Sequence, residues 1–107
     1  MEHLFRYNQK EVRTLEIDGQ IWFVARDVCD ILELGSTSLA VNGRLDRPGS
    51  GLDDDEKGVA NVNTPYGEQE MLTINEAGLY TLIIRSNKPE AKKFKRWITH
   101  EISSGHI

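Results

Sequence analysis

Asp18-Gly19 divides two stretches in which apolar and polar residues nearly alternate. Val12, Leu15 and Ile17 lie before it, and Ile21 and Phe23 after it. A type I′ turn needs positive φ at both central residues, which Asp and Gly adopt more readily than most, and its twist matches that of a hairpin. The pattern predicts strands over about 11–17 and 20–24. Trp22 and Val24 then point to the face opposite Ile21 and Phe23, because side chains alternate along a strand. In a chain of 107 residues, the size of a single domain, such a hairpin obliges the remaining segments to cover one of its faces.

The remaining segments fall into helical and extended patterns. A helix is expected at about 25–33, with Val28, Ile31 and Leu32 in one stripe, Arg26, Asp27, Asp30 and Glu33 on the wet side, and Gly35 as its stop. Ser36, Thr37 or Ser38 caps a short second helix over about 38–45, with Leu39, Val41 and Leu45 apolar and Gly43 its weak point. Residues 46–58 read as a surface loop: Arg47-Pro48-Gly49-Ser50-Gly51 is turn chemistry, and Asp53-Asp54-Asp55-Glu56 is a solvated acidic run. A second hairpin is expected at about 59–63 and 69–74, around Thr64-Pro65-Tyr66-Gly67. Asn75 caps a helix that buries Ala77, Leu79, Leu82 and Ile83 and ends near Arg85. Asn87-Lys88-Pro89 breaks the chain, and Pro89 opens a last helix to about Ile102 with Phe94, Trp97, Ile98 and Ile102 on its apolar face. The expected class is α+β, with two β-hairpins alternating with helix pairs (ββ-αα-ββ-αα). A single domain spans 1–102, and residues 103–107 form a tail, read as a truncation, a tag remnant or a divergent end.

Enzyme chemistry finds no support. His3, His100 and His106 lie near the termini, and with Cys29 they match no zinc-ligand spacing. Gly49-Ser50-Gly51 lacks the lysine and helix of a phosphate loop, and the acidic run lacks calcium-loop spacing. Cys29, the single cysteine, excludes an internal disulfide framework and reads as core packing. The expectations are no enzyme, no cofactor and no metal. No apolar stretch approaches a membrane span and no secretory signal opens the chain, so the expected location is cytoplasmic with no membrane partner.

Charge is the informative feature. The formal net charge is −4, which weighs against nucleic acid, but residues 1–84 carry −8 and residues 85–107 carry +4. Lys92, Lys93, Lys95 and Arg96 are four cations within five residues, with Arg85 and Lys88 just upstream. On a helix Lys92 and Arg96 share a face, Lys93 flanks them, His100 continues the fourfold spacing, and Lys95 points elsewhere. Such a ridge can neutralise phosphates and release their counterions. Cations on a surface helix are more often only solubilising, and spacing alone favours that plainer role. The candidate nucleic-acid-binding residues are Lys92, Lys93, Arg96, Lys88 and Arg85. Tyr66, at a turn tip, is the best candidate for an exposed aromatic.

The stretch from Glu16 to Cys29, with Asp18-Gly19-Gln20-Ile21-Trp22-Phe23-Val24-Ala25-Arg26-Asp27-Val28 at its heart, resembles the opening of the Bro-N domain. That domain stands at the N-terminus of phage and prophage antirepressor-like proteins and of baculovirus BRO proteins. Further blocks follow in the same order: Leu52 to Gly58, Thr64-Pro65-Tyr66-Gly67, Ile74 to Tyr80, and Arg85 to Ile102. The similarity covers about residues 4–102. Two departures stand out: Arg47 to Leu52 looks inserted, and Ser103-Ser104-Gly105-His106-Ile107 replaces a continuation with a Leu-Pro stretch and more basic residues. The resemblance implies a DNA-binding regulatory domain, usually followed by a variable C-terminal domain, and in phage a role in antirepression. DNA of unknown strand type is the expected partner. The competing expectation is a protein-interaction module that captures a phage repressor or forms a homodimer without touching DNA.

Overall fold

Asp18 and Gly19 have φ of 53° and 78°, as a type I′ turn requires, and they join β2 (Lys10–Ile17) to β3 (Gln20–Val24). The computed structural model describes residues 2–7, 9–44, 46, 49–86 and 88–105. Leu45, Arg47 and Pro48 of the loop, Asn87 of the helix break, and His106 and Ile107 of the tail lie outside the described residues.

A strand that the sequence did not announce precedes this hairpin. β1 (Glu2–Tyr7) pairs antiparallel with β2, Tyr7 opposite Lys10. The two hairpins are one sheet, because Phe23 of β3 pairs with Ile74 of β5 (Gly67–Asn75). With β4 (Lys57–Thr64) the antiparallel order is β1-β2-β3-β5-β4. Among the described residues four helices complete a single α+β domain: α1 (Ala25–Ile31), α2 (Thr37–Asn42), α3 (Glu76–Arg85) and α4 (Pro89–Ser103). The element order is therefore βββ-αα-ββ-αα, a correction of one strand to the expected order.

The main core lies between the sheet and the helices. Val12, Phe23 and Ile74 meet Val28, Leu32, Leu79, Leu82, Phe94 and Ile98, all fully buried. Cys29 packs here as a small apolar residue. The other face of the sheet holds a smaller cluster of Leu15, Val24 and Val62, flanked by Ala60 and Met71. Val24 thus lies opposite Phe23, as alternation demands.

Several boundaries moved for local reasons. α1 ends before Gly35, in a Schellman motif: Leu34 N–H donates to the Cys29 carbonyl at 2.9 Å and Glu33 N–H to that of Asp30 at 3.3 Å. Glu33 takes the left-handed position, with φ 56°. α2 begins at Thr37, capped by the Ser36 hydroxyl, and stops at Gly43 rather than running through it. Leu52, expected in a surface loop, is buried; its N–H donates to the Val41 carbonyl at 2.8 Å. The acidic run is partly ordered, since Asp54–Glu56 form a 3-10 turn with an Asp53/Glu56 capping box. That turn lies against α3 at Gly78, where a Cβ would stand 2.8 Å from the Glu56 carbonyl oxygen. Only glycine permits the approach.

Candidate nucleic-acid interface

α4 starts at Pro89, whose fixed φ suits a first helical position, after Lys88 in extended conformation. Its inward stripe of Ala91, Phe94 and Ile98 is buried, and Trp97 and Ile102 pack against the same core. Docking is aromatic. Tyr7 of β1 meets Phe94 edge-on with ring centroids 5.4 Å apart and Trp97 at 5.2 Å, and Phe94 and Trp97 lie at 6.0 Å. The Tyr7 hydroxyl donates to Glu90 at 3.5 Å. Burial, and then the Glu90 charge and hydrogen bond, push the Tyr7 phenol above its ordinary range. This strand and its tyrosine had no reading from the sequence.

Fixing the inward stripe fixes the outward one. Lys92, Lys93 and Arg96 are exposed, and with Trp97 and His100 they line one open groove of about 450 Å³. Trp97 is half-buried: it packs against Tyr7 and Phe94 and also lines the groove. Among the described residues, neither Lys92, Lys93 nor Arg96 pairs with a carboxylate. A groove with three uncompensated cations, an indole and an imidazole suits a polyanion whose bases or sugars offer apolar surface. The spacing of Lys92, Arg96 and His100 was visible in the sequence. Trp97 stood there only as core.

The other two candidates sit elsewhere. Lys88 is exposed at the mouth of α4, outside the groove lining. Arg85, the last residue of α3, is spent on the loop that precedes the acidic run. Its guanidinium donates to the Ser50 carbonyl at 2.6 Å and the Gly51 carbonyl at 3.2 Å. The Ser50 hydroxyl accepts from Arg44 N–H at 2.7 Å. Ser50 and Gly51, of the segment that looked inserted, are thus tied to α3 at one side, and Ser50 to Arg44, just past α2, at the other.

The profile of the BRO family N-terminal domain (Bro-N) matches residues 11–104, from β2 through the end of α4. The chain belongs to the Bro-N family. The Bro-N chain is 36% identical over 101 residues to an uncharacterized protein of Haemophilus influenzae (strain ATCC 51907 / DSM 11121 / KW20 / Rd), covering 92% of this chain and 46% of that protein. It is 28% identical over 120 residues to a Bro-N domain-containing protein of Invertebrate iridescent virus 3, covering 87% of this chain and 30% of the viral one. The Bro-N chain spans less than half the length of these curated relatives. No solved structure matches it at a significant level.

Proposed function

We propose that this Bro-N domain is a DNA-binding regulatory module serving transcriptional control of phage genes, and that α4 is its contact surface. The observation that carries the proposal is the convergence of Lys92, Lys93 and Arg96, free of carboxylate partners among the described residues, on one groove beside Trp97 and His100. The body of the chain carries −8, so attraction to a polyanion is concentrated on this face and repelled elsewhere.

Fluorescence anisotropy with labelled single- and double-stranded oligonucleotides tests it across a salt series. Three neutralised phosphates give a log–log salt slope of about −2 to −3. The double charge reversal Lys92→Glu with Arg96→Glu abolishes binding while the circular dichroism spectrum is kept. Because Trp97 lines the groove, a Trp22→Phe protein reports binding as a change in the remaining indole emission. Affinity indifferent to salt and to the charge reversal refutes the proposal. A reporter driven by a phage promoter, with and without the charge-reversed protein, tests the regulatory role.

A further inference from the structure

Edge strands present a row of backbone N–H and C=O groups, and proteins usually blunt them with charge, proline or a bulge. The two edges of this sheet differ in that respect. β1 carries Glu2 and Arg6 among its six residues. β4 reads Lys-Gly-Val-Ala-Asn-Val-Asn-Thr, and after Lys57 its seven remaining residues, Gly58–Thr64, are all uncharged. In a chain with 28% charged residues, this long edge is left without protection. Among the described residues β4 pairs with β5 alone. Two of the most exposed apolar residues belong to the same hairpin: Val59 at 57% and Tyr66, at its tip, at 91%.

We propose that β4 is a homotypic edge: two copies of this chain pair β4 against β4, antiparallel, about a two-fold axis at Asn61, to give a continuous ten-stranded sheet. Symmetry selects the register. A two-fold axis normal to the sheet keeps the two faces distinct, so opposed residues must share a face and the axis must pass a residue facing its own copy. Asn61 is the midpoint of the uncharged run Gly58–Thr64. Centring there matches every residue of that run with another of the same run, and no charge enters the ladder. Ala60 of one copy faces Val62 of the other, Val59 faces Asn63, and the two Asn61 amides meet. A shift of the axis by one residue towards Ala60 sets Lys57 in the ladder against Asn63. The self-match explains why a second copy fits this edge better than a charged foreign strand. The centred register also carries Tyr66 of each copy past the Gly58 end of the other β4, where Val59, Trp22 and Ile17 line a cleft of about 170 Å³.

The proposal rests on β4 alone and is independent of DNA contact. Sedimentation equilibrium of the chain is expected to give twice the monomer mass, dissociating on dilution. Asn61→Lys sets two ammonium groups against each other on the axis and is expected to leave a monomer as thermally stable as the dissociated parent at low concentration, because Asn61 is exposed in the single copy. A cysteine scan supplies the geometric test. Residues opposed to themselves have Cα atoms about 4.5–5.5 Å apart, within disulfide reach. Asn61→Cys is therefore expected to cross-link under mild oxidation and Asn63→Cys to resist, with buried Cys29 silent in both. A chain that remains monomeric at millimolar concentration overturns the proposal, as does cross-linking that is equal at the two positions.

Discussion

Arg13 and Asp27 are joined by three hydrogen bonds, one to the Arg13 backbone N–H at 2.9 Å and two to its guanidinium at 2.8 Å. The β2–β3 ladder stops at Phe23 and Val24, where the chain turns into α1. The Asp27 carboxylate takes the place of the missing strand and accepts the next amide of β2. Both side chains are mostly buried, at 25% and 11% exposure. The hydrogen bonds to Asp27 also make the Arg13 guanidinium hold its proton more tightly.

Removal of either partner leaves a charge with reduced access to water. Asp27→Ala is expected to cost about 2–4 kcal/mol in urea unfolding, and Asp27→Asn less, because the amide oxygen can still accept the backbone bond. Arg13→Met is expected to cost less than Arg13→Ala, because it keeps the apolar stem. A double-mutant cycle with no coupling between the two residues would refute this account.

Glu33 occupies a left-handed position that costs an L-residue about 1–2 kcal/mol. Glu33→Gly is expected to raise stability by about 0.5–1 kcal/mol, after the extra chain entropy of glycine is subtracted. Glu33→Ala, which keeps the Cβ, is expected to give no such gain. Thermal melts of the three proteins check the ordering.

Gly78 lies inside α3, where helix propensity alone favours alanine by about 1 kcal/mol. The contact with the Glu56 carbonyl reverses the sign. Gly78→Ala is expected to destabilise by about 1–3 kcal/mol, with the largest loss of amide protection in the 3-10 turn. Hydrogen exchange localises the effect.

Arg85 is a cation held by two loop carbonyls, and Arg96 is a cation of the proposed contact face. Arg85→Lys keeps the charge and loses the fork that holds the Ser50 and Gly51 carbonyls. It is expected to quicken exchange of the Leu52 amide and to leave oligonucleotide affinity within about twofold, whereas Arg96→Ala weakens affinity by about tenfold or more. Equal losses of affinity would put both residues on the same surface.

Alkaline pH is expected to lower the stability of the protein through Cys29 and Tyr7. Burial raises both groups above their ordinary values of 9.0 and 10.0, because the folded state disfavours the charged forms. Above those values the unfolded chain releases protons that the folded chain retains, so stability falls as pH rises. It is intact below pH 9, starts to decline past the thiol value, and declines further past the phenol value. Cys29→Ala and Tyr7→Phe each remove their share of the slope. Below pH 9 the native thiol is also expected to resist a disulfide reagent that labels the unfolded chain at once.

What the sequence disclosed follows the range of the forces involved. The Asp18-Gly19 turn, the Asn75 cap, the Pro89 start and the face containing Lys92, Lys93 and Arg96 are set by neighbours within a few positions, and all could be read there. β1 could not: its link to β2, Asn8-Gln9, has no glycine, and the strand is held by a neighbour and by the rings of Phe94 and Trp97, far along the chain. The merger of two hairpins into one sheet rests on Phe23 opposite Ile74, a pairing across 51 positions that no local pattern encodes. Leu52 looked like loop because its neighbours are turn formers; its burial depends on where α2 and α3 come to lie. The same holds for Arg85, whose charge suggested phosphate and whose partners are two carbonyls brought to it by the fold.

The helix with the basic face is anchored to β1, and the unprotected edge is β4, so the two features stand at opposite ends of the sheet. A dimer closed through β4 leaves both basic faces uncovered, on the same side of the sheet, and spaces them by about nine strand widths, or roughly 40 Å. Each face alone offers few cations, hence a weak grip. On the DNA-binding reading proposed above, once the first face is engaged the second meets the same nucleic acid at an effective concentration in the millimolar range, and binding gains by avidity without a new contact. On that reading, dilution of the protein loosens the proposed contact with DNA more steeply than mass action on a monomer allows.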